Sequence, residues 1–244
     1  MEPLLLIFHK IFIFFTCEKE IFLSLITRFK LINNKMKVIA INGSPKKEGN
    51  TFHALNIVGN ELIASGIEFE IIHVGNKMIH GCIACGKCAV NQDEKCTIIT
   101  DELNDYIQKI KEADGIILGS PVYYSGIAGT MKCFLDRLFY VSSSNGNLFR
   151  HKVAAAVVAV RRSGGSATFD SLNHYLTYSE MILATTNYWN IIHGRTPGEV
   201  TQDAEGIQIM RVLGKNMAWI LKMKEASTIE PPKKEIKEIT NFVR

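Results

Sequence analysis

At 244 residues, 47% hydrophobic and 21% charged, the chain is long enough to bury a sizeable core, most simply as one α/β domain. Its 28 Lys and Arg against 24 Asp and Glu leave a net charge of +4, mixed in sign along the chain, which excludes the electrostatic footprint of a nucleic-acid binder. Six cysteines, clustered rather than set in a paired framework, point to a reducing cytoplasm and against a secreted disulfide scaffold.

The first 35 residues hold six of the 13 Phe but no Gly, Ala, Val or Asp, the vocabulary of a translated AT-rich upstream region. Residues 4–15 are apolar but are interrupted by His9 and Lys10 and lack a small-residue cleavage site. They are too short to span a bilayer, so no stable membrane insertion is expected. Residues 1–35 are therefore read as a leader from a mis-assigned start or a dispensable segment. A helix packed on the domain and a membrane-surface anchor are the alternatives, and Cys17 receives no role.

From Met36 onward, short β-branched runs alternate with helix-like segments, as in a doubly wound sheet of five parallel strands. Strands are predicted over 37–42, 69–74, 115–119 and 153–160, with a weaker one over 182–188. Near-continuous apolar runs such as Val153-Ala154-Ala155-Ala156-Val157-Val158 suit strands covered on both faces. Helices are predicted over 51–65, 101–113, 128–140, 168–178 and 204–224. A domain over 36–225 would then carry a cysteine-rich loop, 80–97, inserted between the second strand and the second helix. Residues 226–244, with Pro231-Pro232-Lys233-Lys234, read as a solvated or partner-draped tail.

Three loops at successive strand ends carry candidate ligand groups. The first strand runs into Asn42-Gly43-Ser44-Pro45-Lys46-Lys47-Glu48-Gly49-Asn50-Thr51 at the start of a helix. Glycine permits close approach to an anion, the helix N-terminus offers free N–H groups, and Ser44, Lys46, Asn50 and Thr51 add donors. The loop is neither a dinucleotide fingerprint nor a P-loop. The third strand ends in Gly119-Ser120-Pro121-Val122-Tyr123-Tyr124-Ser125-Gly126, a turn able to lie beside a planar heteroaromatic ring. The fourth ends in the donor-rich Arg161-Arg162-Ser163-Gly164-Gly165. In an open parallel sheet, loops at the carboxyl ends of the strands share one crevice.

Between these lies Gly81-Cys82-Ile83-Ala84-Cys85-Gly86-Lys87-Cys88, followed by Cys96, in the spacing Cys-x2-Cys-x2-Cys-x7-Cys. Three thiolates within seven residues can close on one inorganic core, whereas zinc sites usually recruit two separated pairs. An iron–sulfur cluster, zinc and metal-free thiols all remain open on spacing alone. Elsewhere, Asp136 and Arg137 are read as having a structural ion-pair or interface role rather than one in proton transfer, and Cys133 as a small buried hydrophobe. Tyr188-Trp189-Asn190 suits an interface or the core. His80 adjoins the cysteine loop, but four thiolates already complete a site. His53, His73, His151, His174 and His193 show no ligand spacing.

Gly43-Ser44-Pro45-x4-Asn50-Thr51, Gly119-Ser120-Pro121-Val122-Tyr123-Tyr124 and Phe134-Leu135-Asp136-Arg137 together resemble the NADPH-dependent FMN reductase family, from Met36 to about Gly194. The cysteine loop resembles that of its iron–sulfur flavoprotein branch. The resemblance implies a flavodoxin-like fold, an FMN cofactor and a homodimer or homotetramer. It assigns the FMN phosphate to Ser44, Asn50 and Thr51, with Lys46 also among the cofactor-binding residues. Pro121, Val122, Tyr123, Tyr124 and Ser125 would line the ribityl chain and ring, with Gly164 and Gly165 at the ring edge. Cys82, Cys85, Cys88 and Cys96 would ligate a [4Fe–4S] cluster.

The function so implied is a cytoplasmic oxidoreductase relaying electrons between a reduced donor, NAD(P)H or ferredoxin, and an acceptor. The cofactors carry the chemistry, and no side chain is needed as a catalytic acid or base. The alternatives are a cluster-free NAD(P)H-dependent FMN or quinone reductase and a non-enzymatic module stiffened by zinc.

Overall fold

Strands buried on both faces need helices on both faces, and the apolar runs of this chain receive them. The computed structural model describes residues 35–240 and 242; the leader, including Cys17, lies outside the described residues but for Lys35. The elements are β1 (Lys37–Asn42), α1 (Asn50–Ala64), β2 (Glu68–His73), a short α2 (Lys87–Asn91), α3 (Leu103–Lys111), β3 (Gly115–Tyr123), β4 (Gly126–Ile127) and α4 (Gly129–Ser144). They continue with β5 (Val153–Val160), α5 (Gly165–Tyr178), β6 (Ile182–Leu183), β7 (Ile191–His193), a 3-10 turn (Glu199–Gln202) and α6 (Ala204–Ala226). The parallel sheet runs β2-β1-β3-β5-β6, with β7 also beside β5.

Alternation along the strands divides the core in two. Ile39, Ile41, Ile116, Leu118, Ala154, Ala156 and Val158 face α3, α4 and α5 through Ile107, Phe134, Leu138 and Leu172. Val38, Ala40, Ile117, Val153, Ala155, Val157 and Ala159 face α1 and α6 through Leu55, Val58, Leu213 and Met217. The order 2-1-3-4-5 of the full-length strand positions reverses direction at β1 and β3, so ligand-binding loops gather at their carboxyl ends.

Three local expectations change. The strand predicted over 182–188 is broken into β6 and β7, and Tyr188 lies in the excursion between them. There the Asn190 side chain replaces missing ladder bonds, donating from Nδ2 to the Ala156 carbonyl at 2.9 Å and accepting from Thr186 Oγ1 at 2.9 Å. The third strand runs on past Gly119 to Tyr123, with Pro121 inside it opposite Ala159, and folds back through β4. The fifth helix begins at Gly165 rather than 168, so the loop after β5 is tighter than expected. Among the described residues no helix is long and apolar enough to cross a membrane. From Ser227 to Thr240 the chain is exposed and without helix or strand, touching the body where Arg150 NH1 donates to Pro232 O (3.0 Å) and Lys237 Nζ meets Tyr178 OH (3.0 Å).

The start of α6 shows how polar ends are satisfied. Asp203 accepts from Gly206 N (2.9 Å) and from His193 N (2.7 Å), tying β7 to α6. Burial pushes its carboxyl up, but these N–H donors and His193 outweigh burial and hold it below the ordinary carboxylate value. A carboxyl depressed in the folded state stabilises above its unfolded titration range, and that contribution is lost as pH falls through the folded value. Asp203→Ala is expected to cost about 1 kcal/mol at neutral pH. Urea melts should show the variant and wild type converging as pH falls below the ordinary aspartate range.

Candidate functional site

At the carboxyl end of β1 the chain must turn sharply into α1, and buried Asn42 braces the turn. Its Oδ1 accepts from Ser44 N (3.0 Å) and its Nδ2 donates to Lys47 O (3.1 Å). Ser44 Oγ accepts from Lys46 N (3.2 Å), and His73 Nε2 lies 2.7 Å from Ser44 O. The helix N-cap is Gly49 and no side chain caps α1, which leaves its first-turn N–H groups for an external acceptor. Thr51 is 1% exposed, yet its Oγ1 has no hydrogen-bond partner, and neither does Asn50 Oδ1. Buried polar atoms are rarely left unpaired, and both residues lie in the wall of a hollow beside the open helix end.

Ser44, Lys46, Gly49, Asn50 and Thr51 line a cavity of about 180 Å³ together with Pro121, Val122 and Tyr123. The opposite wall is Ala159, Arg161, Gly194, Arg195 and Pro197. In the sequence Arg161 stands out only as part of a donor-rich loop, and no motif marks Arg195. Among the described residues neither has a carboxylate within ion-pair distance. The Arg195 loop is held by Glu199 Oε2, which accepts from Arg195 N (2.6 Å) and Thr196 N (2.7 Å). The loop N–H groups and Arg195 hold the Glu199 carboxyl below its usual value. An uncapped helix end, Lys46 and two unpaired guanidiniums face one hollow, an electrostatic match for a phosphate.

Tyr124 and Ser125 lie outside this cavity. They form the two-residue turn between β3 and β4, both with left-handed backbones (φ 48° and 57°), a conformation usually left to Asn or Gly. Tyr124 is fully exposed at the tip. Gly164 packs against this hairpin with φ 88°; a Cβ there would lie 2.8 Å from Ser125 Oγ. Gly164 and Gly165 line a neighbouring cavity of about 380 Å³ with Arg162, Tyr188, Trp189 and His193. The residues expected at a ring and its edge thus flank the cradle.

The four cysteines converge on a second place. Cys82, Cys85, Cys88 and Cys96 line one hollow of about 20 Å³ with Thr97, Ile98, Arg137, Tyr140 and Val141. Cys82 and Cys85 are exposed, Cys88 is buried and Cys96 is half-buried. The loop coils through left-handed backbones at Ala84, Gly86, Gln92 and Glu94. Asn104 on α3 pins Cys96 at both backbone groups, accepting from its N at 2.7 Å and donating to its O at 2.9 Å. Asn145, after α4, donates to Cys88 O (3.2 Å) and accepts from Glu94 N (2.9 Å). Among the described residues no three metal-binding side chains gather as a single ion requires.

Arg137 closes the base of this hollow, and the structural ion-pair role read for Asp136 and Arg137 is met through separate partners. Asp136 bonds Lys132 and Tyr175. Arg137 is 1% exposed and pairs with Asp101 through NH1. It also donates to His80 O (3.1 Å), Ile98 O (3.0 Å) and Cys96 Sγ (3.3 Å). Burial pushes the Asp101 carboxyl up, yet the Arg137 guanidinium and the His80 and Leu103 N–H groups outweigh it and hold the carboxyl low.

Known proteins fit this geometry. Residues 36–196 match the family described as NADPH-dependent FMN reductase. The chain is 37% identical over 195 residues to an iron–sulfur flavoprotein of Methanocaldococcus jannaschii, covering 77% of this chain and 98% of that one. It is 28% identical over 190 residues to an iron–sulfur flavoprotein of Methanosarcina thermophila, covering 77% and 96%. Among solved structures it shares its fold with an NAD(P)H:quinone oxidoreductase from Methanothermobacter marburgensis (TM-score 0.58, 14% identity, 75% of this chain and 96% of that). It shares it also with an archaeal flavodoxin (TM-score 0.51, 19% identity, 77% and 99%). The chain belongs to the NADPH-dependent FMN reductase family, in its iron–sulfur flavoprotein branch. It is a flavin-dependent oxidoreductase with FMN as its flavin.

The unpaired Thr51 hydroxyl separates binding from stability. Thr51→Val removes a buried group that has no partner in the free protein, so thermal stability without flavin is expected to hold or rise. FMN affinity should fall by roughly ten- to hundredfold, the loss of a hydrogen bond to a charged group. Fluorescence titration with FMN, beside thermal melts of the stripped protein, checks both halves.

Proposed function

We propose that the protein holds FMN in the β1–α1 cradle and a [4Fe–4S] cluster on Cys82, Cys85, Cys88 and Cys96. It would relay electrons between NAD(P)H or a ferredoxin and an acceptor. The observation that carries this reading is the convergence of four thiols on one hollow in a chain whose fold already takes a flavin. The metal-binding side chains lining that hollow are all cysteines, three of them within seven residues. That spacing suits an iron–sulfur core better than zinc, which usually recruits two separated pairs. The relatives named iron–sulfur flavoproteins support the same assignment.

In this reading Ser44, Asn50, Thr51 and the α1 N–H groups bind the FMN phosphate, with Lys46, Arg161 and Arg195 balancing its charge. Pro121, Val122 and Tyr123 lie along the ribityl chain. Tyr124 and Ser125 flank the ring, with Gly164 and Gly165 at its edge. Bound FMN would supply two-electron acceptance with one-electron release, and a bound cluster one-electron carriage. The chain's own work is to grip the phosphate, orient the ring through a rigid hairpin and keep four thiols turned to one space.

Assembly as a homodimer or homotetramer is supported by the exposed Tyr188, Trp189, Trp219 and Met223. A cytoplasmic setting is supported by the unpaired cysteines of the described residues. Residues 36–225 are taken as the functional unit, because β1 begins at Lys37 and α6 ends at Ala226. A chain shortened to start at Met36 is expected to bind flavin as the full chain does.

Purification without oxygen, followed by iron and acid-labile sulfide assays, tests the cluster. Cys85→Ser is expected to lose iron and sulfide while retaining FMN, because the cradle belongs to other strand ends. Flavin without iron or sulfide in the wild type would leave a simple FMN or quinone reductase. Independently, replacing both Arg161 and Arg195 by Ala should weaken FMN and leave riboflavin affinity unchanged, since only FMN carries the phosphate. Equal losses for both flavins would remove the arginines from the phosphate site.

A further inference from the structure

We propose that Arg137 is a positioning residue for Cys96, and that its Nε–H···S hydrogen bond raises the reduction potential of the centre held by the cysteine loop. The inference rests on the reading that the four thiols hold an iron–sulfur cluster. Arg137 lies among the largest fully buried side chains, and its charge is enclosed on α4 at the base of the thiol hollow. A buried ion pair is a poor source of stability, because desolvation offsets much of the attraction. Anchoring the loop to Asp101 therefore does not by itself account for an arginine here.

The distribution of its donors is more specific. NH1 serves Asp101 and His80 O, NH2 serves Ile98 O, and Nε serves Cys96 Sγ at 3.3 Å. These partners all lie in the loop around the hollow, and one is itself a proposed ligand. A guanidinium beside a thiolate makes a charge-assisted bond and places positive charge next to the metal's sulfur shell. Reduction adds negative charge to that shell, so a donor and a cation there favour the reduced state; hydrogen bonds to sulfur and burial are established levers on cluster potential. Ala84 N donates to Cys82 Sγ (3.4 Å) in the same sense, but from exposed backbone and without charge.

A purely structural arginine would affect folding and cluster retention, not the potential of a cluster that remains in place. The test uses the full chain as anaerobically purified holoprotein. Wild type, Arg137→Lys and Arg137→Gln are assayed for iron and sulfide and titrated under EPR detection, with the flavin midpoint followed optically. Arg137→Gln is expected to lower the cluster midpoint while leaving the flavin midpoint unchanged. Arg137→Lys, which keeps the charge but loses the planar fork, should fall between it and wild type.

A full complement of iron and sulfide in Arg137→Gln at the wild-type midpoint overturns the proposal while leaving the cluster reading intact. Wild-type protein without iron or sulfide overturns both. Should Arg137→Gln lose the cluster, Asp101→Asn decides, because it breaks the ion pair and leaves Nε on Cys96. Retention of the cluster there, with a midpoint at or above wild type, upholds the proposal. Loss of the cluster, or a midpoint below wild type, assigns Arg137 to the ion pair alone.

Discussion

A guanidinium with no exposed surface must find its hydrogen-bond partners inside the protein, and Arg137 draws them from residues 80–101. That requirement organises one end of the molecule. It draws His80, Cys96, Ile98 and Asp101 onto the flank of α4 and so forms the floor of the thiol hollow. The loop has little regular structure of its own, only the short α2, and is held besides by side-chain tethers that include Asn104, Gln108 and Asn145. Its shape is therefore imposed from outside, by polar groups on α3 and α4.

The cradle follows the opposite design. It is built at strand ends, where backbone geometry already directs N–H groups outward, and Asn42 and His73 stiffen it. What it leaves unpaired, Thr51 Oγ1 and Asn50 Oδ1, is internal polarity held ready for a ligand, at a cost to the free protein. The β3–β4 turn shows a related compromise, with two non-glycine residues in left-handed conformations at the tip.

Much of this was legible in the sequence because it is local. The apolar runs at 37–42 and 153–160 and the Gly-Ser-Pro turn after β1 state their structure within a few residues. The remainder depends on partners far along the chain. An ion-pair role for Arg137 could be read from its place in a helix, but its carboxylate, Asp101, lies far along the chain and comes close only when α4 packs over the loop. Arg195 shows no motif and reaches the cradle wall through the return of β7 to the sheet. The fifth strand misled for a similar reason: a β-branched run says nothing of the excursion that Asn190 repairs.

Helix α4 starts just after the β4 hairpin and carries Arg137, Tyr140 and Val141 into the wall of the thiol hollow. From Gly129 to Arg137 it advances about 12 Å while turning roughly 100° per residue. A single residue gained or lost in that stretch would swing the guanidinium away from its four contacts and bury a charge against the core. The segment between Cys88 and Cys96 has no such phase to keep. Among descendants of a common ancestor, insertions and deletions should accumulate between those two cysteines, while the length of α4 up to Arg137 stays fixed.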